Sequence, residues 1–182
     1  MEEWKEYRLE EVGNVITGKT PKTANKEFFG GDVFFITPAD LNTPYKRIKE
    51  TQRTLSKEGL YSIKGSILPP KSICVSCIGN LGYIGMTTDY CASNQQINSI
   101  VVNPSFDPDF IYYVLRNHWE YFKSLEGQST ALSILNKTLF SKIVITAPQL
   151  EEQKRIADFL SSLDDKIELN RQINDNLIKL VA

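Results

Sequence analysis

Three cysteines, a single histidine and the absence of any long apolar run set the first limits on this 182-residue chain. An odd number of cysteines, without the regular spacing of a small cross-linked scaffold, argues against a disulfide framework and agrees with a reducing compartment. Cys74 and Cys77 form a C-x-x-C pair, but zinc would need two further ligands, and the candidates are only Cys91 and His118. A redox pair is expected at a helix start. These two lie in the β-rich stretch of residues 72–78, which favours buried strand thiols. A lone histidine, no carboxylate cluster at metal spacing and no P-loop leave hydrolysis and phosphoryl transfer without their usual residues. No segment approaches the ~20 apolar residues that cross a bilayer. The opening residues 1–6 are too acidic for a signal peptide, so a soluble, cytoplasmic chain is expected.

Net charge is scarce too, at −1, which at first sight counts against a nucleic-acid ligand. The distribution is uneven. Residues 16–71 carry ten Lys/Arg against five acids, a local charge of +5, while the first fifteen residues stand at −3 and the segment from residue 151 onward at −2. Phosphate binding depends on a local basic face rather than on the sum, so the asymmetry permits a polyanion without proving one.

Read along the chain, Leu9, Val12 and Ile16 recur at helical spacing. Gly18 and Pro21 then break the pattern. Residues 33–37 are β-branched and aromatic enough for a buried strand, and Ser56 is placed to cap a short helical turn. Strands are expected over 66–68, 73–78, 83–86 and 97–102, separated by Gly, Pro and Asn, as in a compact sheet or partly closed barrel. Asp107, Pro108 and Asp109 signal a helix start. Phe110, Tyr113, Val114, Trp119 and Phe122 give the amphipathic face of one helix, roughly twelve to sixteen residues long. A further strand is expected within 139–145.

Residues 151–181 contain neither Gly nor Pro, so they can form one helix about 45 Å long at 1.5 Å per residue. Its apolar positions advance by alternating steps of four and three through Ile156, Leu160, Leu163 and Ile167. The row continues through two polar positions, Asn170 and Asn174, to Leu177. That is a coiled-coil seam, longer than a domain of this size covers, and it calls for a second helix.

Several of these features, taken in order, resemble the target-recognition domain of the specificity (S) subunits of type I DNA restriction-modification systems. They are Trp4, Lys5, Leu9 and Val12; Gly18-x-Thr20-Pro21; Ile36-Thr-Pro-x-Asp40-Leu41; Ser93-Asn94-Gln95; and Gly127-x-Ser129-Thr130. The run Ile145, Pro148, Leu150, Glu152, Gln153, Ile156, Ala157 and Leu160 is similar to that family's lead into its spacer helix and is the most specific of these signals. The resemblance implies an α+β (mixed α/β) fold. A compact, β-rich recognition domain with peripheral helices (1–148) would precede one long C-terminal helix (149–182) that pairs as an antiparallel coiled coil. Such subunits usually hold two recognition domains and two spacer helices, whereas one of each is present here. A half-length subunit, or one repeat of a longer chain, would follow, and the seam then points to a two-fold homodimer.

The resemblance further implies a non-catalytic subunit that reads double-stranded DNA. Its partners would be adenine-N6 methyltransferase (M) subunits and an ATP-dependent nuclease (R) subunit. S-adenosylmethionine, ATP and Mg would belong to those partners, with no cofactor on this chain. Two readers on a ~45 Å rod would address half-sites about thirteen base pairs apart. Position suggests DNA contacts from Lys19, Thr20 and Lys22 in the first loop, from Lys46, Arg47, Lys49 and Arg53 in the basic stretch, and from Ser129 and Thr130 in the late loop. Asn94, Gln95 and Gln96 suit adenine, but beside a strand they serve more readily as backbone partners. Two other classes compete. One is a stand-alone S-adenosylmethionine-dependent methyltransferase, suggested by Asn103-Pro-Ser-Phe106, one residue from the pattern that grips a flipped adenine, and faintly by Phe29-Gly-Gly-Asp32. Strands that follow each other so closely leave little room for its parallel sheet. The other is a coiled-coil scaffold that binds no DNA.

Overall fold

A computed structural model describes residues 4–126 and 134–181. In chain order its strands and helices are β1 (Lys5–Arg8), α1 (Leu9–Val12), β2 (Gly13–Thr17), β3 (Phe29–Ile36), α2 (Pro38–Leu41), β4 (Arg47–Ile48), β5 (Thr54–Leu55), α3 (Lys57–Ser62), β6 (Ile67–Leu68), β7 (Ile73–Ser76), β8 (Ile84–Thr87), β9 (Cys91–Ser93) and β10 (Ile97–Val102), then α4 (Pro108–Asn117), α5 (Trp119–Glu126), α6 (Lys137–Ser141), β11 (Val144–Ala147) and α7 (Leu150–Val181). This is the expected α+β architecture: short strands, peripheral helices and one long terminal helix.

Two sheets carry the core. The larger has the order β2-β10-β7-β8-β4, antiparallel except where the two-residue β4 joins the edge of β8 in parallel; the smaller has the order β5-β3-β9-β6. Successive strand residues face opposite sides, and β7 shows what that does here. Ile73 and Val75 enter the main cluster with Phe110, Ile111, Leu115 and Phe122 of α4 and α5, while Cys74 joins Ile36, Leu68, Cys91 and Ile97 between the sheets. Phe35, Leu55 and Ala92 face the far side of the smaller sheet, under Leu60 of α3. Burying each Phe or Leu of the main cluster contributes about 1.5–3 kcal/mol relative to leaving it in water.

Caps fix several boundaries. The Ser56 hydroxyl accepts from the Gly59 amide at 3.1 Å, and Asp107 accepts from the Phe110 amide at 2.8 Å, so both start signals in the sequence are used. The helix expected through Phe122 is two helices, broken at His118, whose ring Nδ1 lies 2.8 Å from the Val114 carbonyl. The expected Leu9–Val12–Ile16 face also stops early. Leu9 and Val12 form a single buried turn, and Ile16 lies on β2 opposite Ser99, because backbone pairing with β10 overrides the helical spacing. Leu139 sits on α6, capped by Asn136, and the strand of that region begins at Val144. β11 pairs with β1, Lys5 opposite Ala147, and so brings the two ends of the recognition domain together. No described helix is long and apolar enough to cross a membrane.

Candidate nucleic-acid interface

The antiparallel order of β2, β10, β7 and β8 brings the end of β2, the start of β10, the end of β7 and the start of β8 to one edge of the large sheet. The chain leaving β2 is pinned to the turn before β10. The Gly18 amide donates to Ile97 O at 3.0 Å, the Lys19 amide to Ser93 O at 2.9 Å, and the Thr20 hydroxyl to Gln95 Oε1 at 2.7 Å. Glycine is required at position 18, since a Cβ there would stand 2.0 Å from Asn94 O and 2.4 Å from Ser93 Oγ. This explains the glycine of the Gly18-x-Thr20-Pro21 pattern without any ligand. The Asn94 side chain accepts from the Gln96 amide and donates to the Gln96 side chain, so this turn does satisfy itself. Lys19, Thr20 and Lys22 share a pocket of about 300 Å³ with Ser62 and Ile63, and both lysines are exposed. The Cys77 amide donates to Gln96 O and the Leu135 amide to Cys77 O, which adds the stretch around Leu135 to the same edge. Ser129 and Thr130 fall outside the described residues. Arg53 belongs to a different surface, its exposed guanidinium 5.0 Å from the centre of the Phe29 ring.

The basic stretch at 46–49 has another task. Lys46 is buried, its side chain only 3% exposed, with Nζ 2.6 Å from Asp109 Oδ1, 2.9 Å from Ser161 Oγ and 4.5 Å from the centre of the Tyr113 ring. It cannot face a duplex, and the expectation of a DNA contact at Lys46 is corrected. Arg47 pairs with Asp165 at 2.7 Å, and Lys49 pairs with Glu168. Both are partly exposed, but their charges are matched by helix α7 instead of being offered outward. The Tyr113 hydroxyl donates to Asp164 Oδ2 at 2.8 Å, and the Arg171 guanidinium lies 5.8 Å from the Tyr45 ring. Burial pushes the Asp109 carboxyl up, but Lys46 and Lys71 outweigh it and hold the group below its ordinary value. Sequence reasoning missed Asp109, Tyr113, Ser161, Asp164, Asp165 and Glu168. The available signal was acids at positions 164 and 168, each one residue beyond a seam position.

Helix α7 therefore has two working faces. Gln153 and Ala157 are 2% exposed, and Gln153 accepts from the Asp107 amide at 3.0 Å and donates to Pro148 O at 2.9 Å, which seats the start of the helix. The docked row continues through Ser161, Asp164 and Glu168. The seam row Ile156, Leu160, Leu163 and Ile167 is displaced from it by one residue, about 100° around the axis. Ile156 and Leu160 are half-buried against the domain, whereas Leu163, Ile167 and Leu177 are 42%, 46% and 54% exposed, and Asn170 and Asn174 are exposed as well. The first half of the helix lies on its own domain through the polar row and leaves most of the apolar row open.

The competing chemistries find no support in these positions. Asn103 Nδ2 donates to Glu11 O, its Oδ1 accepts from the Ser105 amide, and Phe106 is buried edge-on to Tyr7, so this run closes a strand end. Phe29-Gly-Gly-Asp32 is part of β3. Cys74 and Cys77 point into different clusters, and burial pushes both thiols up to about 12. Among the described residues no group of three His, Cys, Asp or Glu could hold a metal ion.

Comparison with known proteins decides the relationship. The family described as the type I restriction modification DNA specificity domain matches residues 1–179. The chain belongs to that family. It is 37% identical to the HindI type I restriction enzyme specificity subunit of Haemophilus influenzae, over 96% of this chain and 40% of that subunit. It is 30% identical to the MjaIX specificity subunit of Methanocaldococcus jannaschii, over 98% and 42%. The fold matches the crystal structure of the HsdS subunit from Thermoanaerobacter tengcongensis with a TM-score of 0.69 at 18% identity, covering 93% of this chain and 39% of that one. This specificity domain thus spans about two fifths of the length of the relatives it matches.

Proposed function

We propose that the chain reads one half of a divided DNA target, and that two copies joined by antiparallel α7 helices present two readers to one duplex. Adenine-N6 methyltransferase subunits, which bring S-adenosylmethionine, and an endonuclease subunit, which brings ATP and Mg, dock on this assembly and do the chemistry, in the cytoplasm. The specificity domain supplies the address and holds none of those groups. The observation that carries this reading is the division of surface. Exposed Lys19 and Lys22 and the Thr20–Gln95 pair stand together at one edge of the large sheet, while α7 is seated beside Asp107, near the sheet's opposite edge, and leaves its apolar row open. Cations position a reader on phosphates, and paired donors and acceptors read base edges. Ser129 and Thr130 remain in the reading as polar DNA contacts, and Arg53 as a phosphate contact from its own, separate surface.

Two measurements test it. Binding to random duplex should weaken steeply as salt rises, which a scaffold that binds no DNA would not show. Base-resolution methylation mapping with the partner methyltransferase co-expressed should return a two-part motif with an unspecified gap, its halves inverted copies when the chain acts as a homodimer. A gapless motif would sink the reading. Calorimetry with S-adenosylmethionine on the isolated chain should show no heat of binding.

A further inference from the structure

We infer that Lys46, Arg47 and Lys49 are positioning residues: with α7 they form a charge register that fixes the angle between recognition domain and helix, and with it the separation and facing of two half-sites. The second part rests on the DNA reading above.

The geometry matches over the whole contact. Lys46 reaches Ser161, Arg47 reaches Asp165 and Lys49 reaches Glu168. Three extended residues advance about 10 Å at 3.3 Å each, and the seven helical residues from Ser161 to Glu168 advance about 10.5 Å. Strand and helix therefore advance by nearly the same amount from the Lys46–Ser161 contact to the Lys49–Glu168 contact, and the long side chains take up the difference at Arg47. Other alignments lose the match. Sliding the helix by one turn one way leaves an acid only for Lys46, at Asp165, and sets Arg47 against Leu169 and Lys49 against Gln172; sliding it the other way leaves one only for Lys49, at Asp164, and sets Lys46 against Ala157 and Arg47 against Ser161, so neither keeps both outer ion pairs. Lys46 adds a third element, since its ammonium is shared between α7 and Asp109 of α4, and Tyr113 of α4 holds Asp164. The cations themselves sit around β4, a two-residue strand at the edge of the large sheet, and the carbonyl of Lys46 just before it accepts from the Met86 amide of β8 at 2.8 Å. Any tilt of α7 is thus transmitted straight to the sheet that carries the candidate reading edge.

The test measures the angle without needing DNA. Spin labels on Lys57→Cys and Asp175→Cys attach selectively, because Cys74, Cys77 and Cys91 are buried, and dilution with unlabelled chain isolates the intrachain distance. The parent should give one narrow distance distribution. Arg47→Glu with Lys49→Glu should shift or broaden it, and adding Asp165→Arg with Glu168→Lys, which restores the parent net charge, should return it to the parent shape. Random-duplex affinity of this fourfold swap should stay within about twofold of the parent with an unchanged salt slope. A distribution unmoved by the double reversal, or not restored by the swap, overturns the inference. So does a swap that restores the distance but loses duplex binding and flattens its salt slope, since Arg47 and Lys49 would then be phosphate contacts. If the parent chain itself binds no duplex, the DNA reading falls and the distances still decide the register.

Discussion

Lys46 Nζ lies 2.6 Å from the Asp109 carboxylate, and the same ammonium donates to Ser161, so one buried cation joins the segment before β4 to helices α4 and α7. Removing either partner has unequal consequences. Asp109→Ala leaves a buried ammonium without its carboxylate and should destabilise the fold by about 3–5 kcal/mol. Lys46→Met puts an unbranched apolar end in place of the ammonium over the Tyr112 and Tyr113 rings and leaves Asp109 its contact with Lys71, so it should cost only about 1–2 kcal/mol. Urea denaturation of the two variants checks the order.

Asp109 also sets an acid limit. Its carboxyl is held below the ordinary value in the folded chain, so the stability it contributes is complete above the unfolded-state value, about pH 4, and is lost as pH falls through the lower folded value. Denaturation of the parent should become easier below about pH 4, and Asp109→Asn should flatten that dependence while lowering stability at neutral pH.

Lys19 and Lys22 are exposed beside the Thr20 loop, and the proposed reading sets them on the phosphate backbone. Replacing both by Ala should weaken random-duplex binding and reduce the slope of log affinity against log salt by about one for each phosphate left without its cation. Lys46→Met should leave that slope as it is. Anisotropy titrations across a salt series separate the two results.

The two rows of α7, offset by one residue, should give different phenotypes. Leu163→Asp places a charge on the open row and should abolish self-association at little cost to the fold, as read by sedimentation velocity and thermal melting. Ala157→Asp buries the same charge at a 2% exposed site and should destabilise the domain by several kcal/mol.

The long helix, its seam and the capped starts at Ser56 and Asp107 were legible because their causes are local: spacing, missing Gly and Pro, a side chain three residues from an amide. The pairing of Lys5 with Ala147 and the three-residue β9 were not legible, because short strands owe their existence to partners far along the chain. The basic stretch was visible but its use was not. A run of cations permits a negative partner without showing whether that partner is phosphate or, as here, acids on a helix 118 and 119 residues away. The Gly18 loop was located correctly from its break in pattern, though the glycine serves a close backbone approach. Ile16 was misread because two apolar positions four apart also fit a turn followed by a strand.

The contact of helix α7 with its domain runs from Gln153 beside Pro148 to Glu168 beside Lys49. Fifteen residues separate them, about 22 Å of lever arm. Slack of 1 Å at the outer point tilts the rod by only roughly 3°, or about 2 Å at the end of a 45 Å shaft. Held by the inner point alone, the shaft would swing like a gate. Fastened along the whole of that stretch it is a beam instead, able to carry a torque along its length.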